Sequence, residues 1–97
     1  MPETSTSDLA CVHIWLMGRV QGVGFRAFVL QAATTLGLTG WVRNLGYDQV
    51  ETLAEGPRLV LEEFSSMLRA GPSVSRVDEA RVVWESPQRE FHSFNVR

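Results

Sequence analysis

The chain has 97 residues, 44% hydrophobic and 21% charged, with 11 acidic against 9 basic residues and a formal net charge of -2. All nine basic residues are arginines and lysine is absent, which excludes a lysine Schiff base and the phosphate-loop lysine of nucleotide-triphosphate enzymes. The length supports one hydrophobic core, and the mildly acidic total speaks against nucleic acid as the main partner, since duplex binding needs a basic face.

Residues 1–10 are polar and rich in Ser and Thr, and the sequence predicts a flexible tail there. The stretch has no basic region followed by an apolar run, so it does not read as a signal peptide, and no segment reaches the roughly 20 apolar residues of a membrane span. From Cys11 to Met17 the residues alternate, with Val12, Ile14 and Leu16 on one face and His13, Trp15 and Met17 on the other, which predicts a strand. A glycine-rich loop follows from Gly18 to Gly24. Phe25, Phe28, Val29, Ala32, Ala33 and Leu36 then recur at helical spacing, and Gly37 stops that helix.

A hairpin is predicted next: a strand over Leu38–Asn44, a turn over Leu45–Gln49, and a strand over Val50–Glu55. Gly56 and Pro57 mark a helix start, with the proline at the first helical position. Val60, Leu61, Phe64, Met67 and Leu68 form its apolar stripe, and Gly71-Pro72 end it. Arg76–Glu85 reads as a fourth strand with Ala80, Val82 and Trp84 on one face; Phe91–Val96 allows a short fifth. The order βαββαβ predicts an α+β fold of ferredoxin-like type: an antiparallel sheet carrying two helices on one face, as a single domain over residues 11–97. That fold hosts many functions, so the site has to carry the functional argument.

Gly18-Arg19-Val20-Gln21-Gly22-Val23-Gly24-Phe25-Arg26 is the most informative stretch. Its glycines permit backbone conformations closed to other residues, and successive amides can turn inward at a helix N-terminus to form an anion site. Arg26 falls in the first helical turn, where the helix dipole favours acids. An anion held between the guanidinium and the amides removes that conflict, and the planar donors of arginine suit phosphate. On spacing alone a tight turn with a surface arginine explains the same residues. The run Gly22-Val23-Gly24-Phe25-Arg26-Ala27 also fits a dinucleotide fingerprint, but the chain has too few strands for a doubly wound fold, and Asn44 stands where the ribose-binding acid belongs.

The stretch Gly18–Arg26, together with Gly40-Trp41-Val42-Arg43-Asn44, closely resembles the two signatures of the acylphosphatase family. The order of elements agrees, as do Gly71-Pro72-Ser73 and the phenylalanines Phe91 and Phe94. The resemblance implies metal-independent hydrolysis of the carboxyl-phosphate bond of small acyl phosphates to carboxylate and inorganic phosphate, without any cofactor. It places the phosphate-binding arginine on Arg26, the water-positioning asparagine on Asn44, and the phosphate cradle on the backbone amides of Gln21, Gly22, Val23, Gly24, Phe25 and Arg26. The hairpin turn departs from the family's proline-aspartate-glycine: here it is Gly46-Tyr47-Asp48, at unchanged length. A non-catalytic anion-binding module on the same fold would need Arg26 and the cradle, but not Asn44.

Other residues are read as structural. His13 and His92 are isolated, with no metal-ligand spacing around them. Glu62-Glu63 and Asp78-Glu79 are adjacent pairs whose side chains diverge, as solvated charges do. Cys11, alone in the chain, packs among apolar residues; it can form no internal disulfide and fits a reducing compartment. Trp15, Trp41 and Trp84 read as core or sheet-face packing, and Arg19 and Arg43 as supporting charges. A cytoplasmic monomer acting on a small molecule, with neither nucleic acid nor membrane as partner, is expected.

Overall fold

The computed structural model describes residues 9–97. Its elements are β1 (Leu9–Arg19), α1 (Phe25–Thr35), β2 (Thr39–Leu45), β3 (Gln49–Pro57), α2 (Arg58–Ala70), β4 (Arg76–Glu85) and β5 (Phe94–Val96). The strands lie in one sheet in the order β4-β1-β3-β2-β5. β1 pairs antiparallel with both β3 and β4, and β2 with β3. β5 runs parallel to β2, so the sheet is mixed rather than antiparallel throughout. The chain leaves β4 at one edge of the sheet and returns at the other, and that crossing fixes the direction of β5.

The alternation in β1 sorts its side chains as expected. Val12, Ile14 and Leu16 face the helices and join Phe25, Val29, Ala32 and Ala33 of α1 and Leu61, Phe64 and Leu68 of α2 in one buried core. Both helices therefore cover the same face of the sheet. Phe64 and Phe94 meet edge to face at 6.2 Å between ring centres, which ties β5 to α2 through the core. Gly37, at φ 73°, takes the left-handed conformation that ends α1, and the Leu38 N–H closes the turn onto the Ala33 carbonyl.

Several expected boundaries move: β2 is Thr39–Leu45 and β3 is Gln49–Pro57, each shifted or extended by one or two residues. β1 begins at Leu9, opposite Pro57, so positions 9 and 10 belong to the sheet; the rest of the expected tail lies outside the described residues. Pro57 does not open α2 from within. It ends β3 in an extended conformation, φ -62° and ψ 141°, as the residue before the first turn, because Gly56 is still paired with Ala10 in the ladder. The fifth strand is limited to Phe94–Val96, since residues 86–93 are occupied in crossing the sheet. On that path Phe91 packs against Cys11, Trp41 and Leu53 on the helix-free face. The buried Glu55 carboxylate accepts the backbone N–H groups of Gln88 and Arg89.

Candidate active site

The loop between β1 and α1 is shaped by where its glycines stand. Gly18 breaks the register of β1 against β4; at φ 133° it lies so close to the Arg76 carbonyl that a Cβ would collide with it. Past that close approach β1 continues in its shifted register to Arg19, paired with Arg76, before the chain leaves the sheet. Val20 then inserts into the core and anchors the loop from beneath. Gly22 (φ 72°) and Gly24 (φ 76°) are left-handed and face open space, so backbone conformation, not crowding, is what requires glycine there.

Gly24 is the residue that precedes the first turn of α1; no side chain caps that turn and it holds no acidic residue. The first amides of a helix have no acceptor within it. Here they open onto a cleft of about 220 Å³ lined by Val20, Gln21, Gly22, Gly24, Phe25, Arg26, Ala27 and Asn44. Buried Phe25 fixes the floor, while Arg26 is exposed at the rim, its Nη1 donating to the Arg97 backbone oxygen at 3.4 Å.

Asn44 reaches the cleft from a different element. It pairs with Val50 near the end of β2 and shares the face of Val42, the one that carries the helices. The structure thus brings together Arg26 and Asn44, distant in sequence, at one end of the sheet. Val23, expected in the cradle, packs against the core and is not among the residues that line the cleft. Any part it takes is through its backbone. The Gln21 side chain has a role that reading its backbone alone overlooks: Nε2 donates to the carbonyls of Gly46 at 3.1 Å and Gln49 at 2.9 Å. An amide side chain inside a glycine-rich loop was the available signal.

His13 lies away from the cleft, on the helix-free face, and is not isolated. Its Nε2 is 2.7 Å from Glu51 and its Nδ1 3.0 Å from Glu85, partners supplied by the two neighbouring strands. The ring also stacks on Trp15 at 3.9 Å. Glu51, only 6% exposed, accepts a second hydrogen bond from Arg43 Nε at 2.7 Å. Burial pushes the Glu51 carboxyl up, but hydrogen bonds from His13 and Arg43 outweigh it and hold the group below the ordinary carboxylate value. Glu62 pairs with Arg58 and Asp78 with Arg76 on the surface, as solvated charges do. Among the described residues no three His, Cys, Asp or Glu side chains gather as metal ligands.

Family model, sequence and structure comparisons each return acylphosphatases. The family model described as acylphosphatase matches residues 12–96. An acylphosphatase of Trichormus variabilis is 46% identical over 89 residues, 91% of this chain and 88% of the relative. One from Koribacter versatilis is 51% identical over 79 residues, 81% of this chain and 72% of the relative. Among solved structures, the crystal structure of acylphosphatase from Bacillus subtilis superposes with a TM-score of 0.87 at 38% identity, covering 91% of this chain and 98% of that one.

Proposed function

The chain belongs to the acylphosphatase family, and from that membership we propose how its own residues carry the reaction. The enzyme hydrolyses the carboxyl-phosphate bond of acyl phosphates to carboxylate and inorganic phosphate. In our reading the phosphate sits in the cleft between the amides of Gln21 to Arg26 and the Arg26 guanidinium. The helix N-terminus and the fixed cation gather the charge that spreads over the equatorial oxygens in a loose transition state.

Asn44 orients the attacking water. Its side chain offers a donor and an acceptor but cannot take a proton at neutral pH, so a phosphate oxygen of the substrate receives it. The water oxygen bonds to phosphorus, the bond from phosphorus to the acyl oxygen breaks, and its electron pair departs with the carboxylate. An acyl phosphate has a good leaving group, so this scheme requires neither a general acid nor a metal. The single observation that carries the reading is the convergence of Arg26, Asn44 and the uncapped first turn of α1 on one cleft.

The test is hydrolysis of a chromogenic aromatic acyl phosphate by the purified protein with chelator present. Asn44→Ala should lose turnover while still binding inorganic phosphate; Arg26→Ala should lose both. An Arg26→Ala protein that binds phosphate as well as the parent would overturn the assignment.

We also infer that the enzyme works as a monomer in the cytoplasm. The outer edge of β4 carries Arg76, Asp78, Glu79 and Arg81, charges that discourage association strand to strand. Cys11 is a free, buried thiol, which fits a reducing compartment. No helix among the described residues is long and apolar enough to cross a membrane.

A further inference from the structure

We propose that the Gln21 carboxamide is a positioning residue: it holds the β2–β3 hairpin, and with it Asn44, at a fixed place relative to the phosphate cradle. The proposal rests on the reading of Asn44 given above.

The geometry is a fork. Gln21 Nε2 has two hydrogens and faces two carbonyls, Gly46 at 3.1 Å and Gln49 at 2.9 Å. Both partners are acceptors, so only the nitrogen end of the amide can satisfy them. They lie on the two sides of the turn: Gln49 closes the β2–β3 ladder opposite Leu45, and Gly46 begins the turn itself. A single side chain therefore spans the turn's mouth. Gln21 also lines the cleft with Asn44, so the fork joins the cradle to the strand end that carries the water-holding residue.

A third bond runs alongside it, from the Gly18 N–H to the Asp48 carbonyl at 3.1 Å. It ties the tip of the turn to the base of the loop and does not depend on any side chain. Losing the fork would leave β3 held by its ladder to β1, which reaches Met17–Gln49, and by the Gly18 bond. It would let the turn shift at Gly46 and with it the end of β2 at Asn44, which lies beyond the β5 ladder that stops at Val42. Turnover is sensitive to such shifts, whereas holding phosphate against Arg26 and the amides is not.

The experiment is a double-mutant cycle on the intact chain, using Gln21→Met, Asn44→Ala and the pair. Met keeps the length of the side chain and removes its donors. We expect Gln21→Met to lower kcat by about tenfold to a hundredfold, with affinity for inorganic phosphate within about twofold of the parent. In the Asn44→Ala background the same substitution should change kcat little, because the group it positions is gone. A Gln21→Met protein with parental kcat overturns the proposal. So does one whose phosphate affinity falls in step with kcat, or one whose loss multiplies fully with that of Asn44→Ala. If Asn44→Ala alone leaves kcat intact, it is the reading of Asn44 that fails, a result separable from the others. Should Gln21→Met fold poorly, Gln21→Asn, one methylene too short to reach both carbonyls, gives the same readouts.

Discussion

Arg43 donates from Nε to Glu51 Oε1 at 2.7 Å directly across the β2–β3 ladder, one residue before Asn44. The pair closes the hairpin just short of the site, and His13 reaches the other Glu51 oxygen from β1. Three strands are thus stitched together through one buried carboxylate, and that carboxylate is worth most when ionised.

The consequence is an acid limb in stability. A carboxyl held below its ordinary value, near 4.5, stabilises the folded state above that pH and loses its contribution as pH falls through the lower, folded value. Glu51→Gln should cost about 1–3 kcal/mol at neutral pH, since His13 and Arg43 are left without a charged acceptor. Its stability should also fall less steeply than the parent's below about pH 4.5. Some slope will remain, because Arg76 holds Asp78 down as well. Urea unfolding from pH 3 to 7 checks both (about the range over which carboxylates titrate); parallel curves for the two proteins would contradict the account.

Two glycines should respond very differently to alanine. At Gly40, φ 139°, a Cβ would overlap the Leu53 carbonyl across the ladder, and the backbone there cannot yield without parting β2 from β3. Gly40→Ala should cost about 3 kcal/mol or more. Gly24 is also left-handed, at φ 76°, but has nothing nearby, so Gly24→Ala should cost only about 1 kcal/mol. Comparable midpoints in urea for the two variants would refute the distinction.

The contrast also shows what could be read from sequence. The order of elements followed from local periodicity, because Val12, Ile14 and Leu16 alternate at a spacing that only a strand satisfies. The place of the glycine-rich loop and of Arg26 at the helix start was legible for the same reason: the two are contiguous. What could not be read lies in pairings between distant segments. His13 stands alone in the sequence, because Glu51 and Glu85 reach it only once β3 and β4 flank β1. The parallel sense of β5 depends on the path of residues 86–93, anchored by Glu55 from another strand. A proline suits either the first helical position or an extended residue before it, and at Pro57 the ladder to Leu9 decides which.

Cys11 should be inert in the folded protein. Burial first, then the nearby charges of Glu55 and Glu85, push its thiol up to about 12, and the side chain has no exposed surface. Reaction with a disulfide reagent at about pH 8 requires the thiolate, so labelling should track global unfolding and accelerate with denaturant. Stoichiometric labelling within the mixing time under native conditions would show that the helix-free face opens at Cys11.

Arg26→Lys asks whether charge alone suffices. Lysine keeps the cation but replaces a planar fork of donors with one compact ammonium group. The guanidinium stands at the rim, with Nη1 turned to the Arg97 backbone oxygen at 3.4 Å. That bond is long and therefore weak, so in the proposed reading it gives way to phosphate. Arginine can therefore grip two oxygens of a phosphate while its stem stays in place, whereas an ammonium group meets one at a time. We expect kcat/KM for an aromatic acyl phosphate to fall by about tenfold to a hundredfold in Arg26→Lys, with inorganic phosphate weakened as an inhibitor by a similar factor. Steady-state kinetics with phosphate inhibition measures both. If the lysine protein matched the parent in both, the cleft would be using Arg26 as a charge and not as a fork, and the amides of the loop would have to supply all of the directional binding.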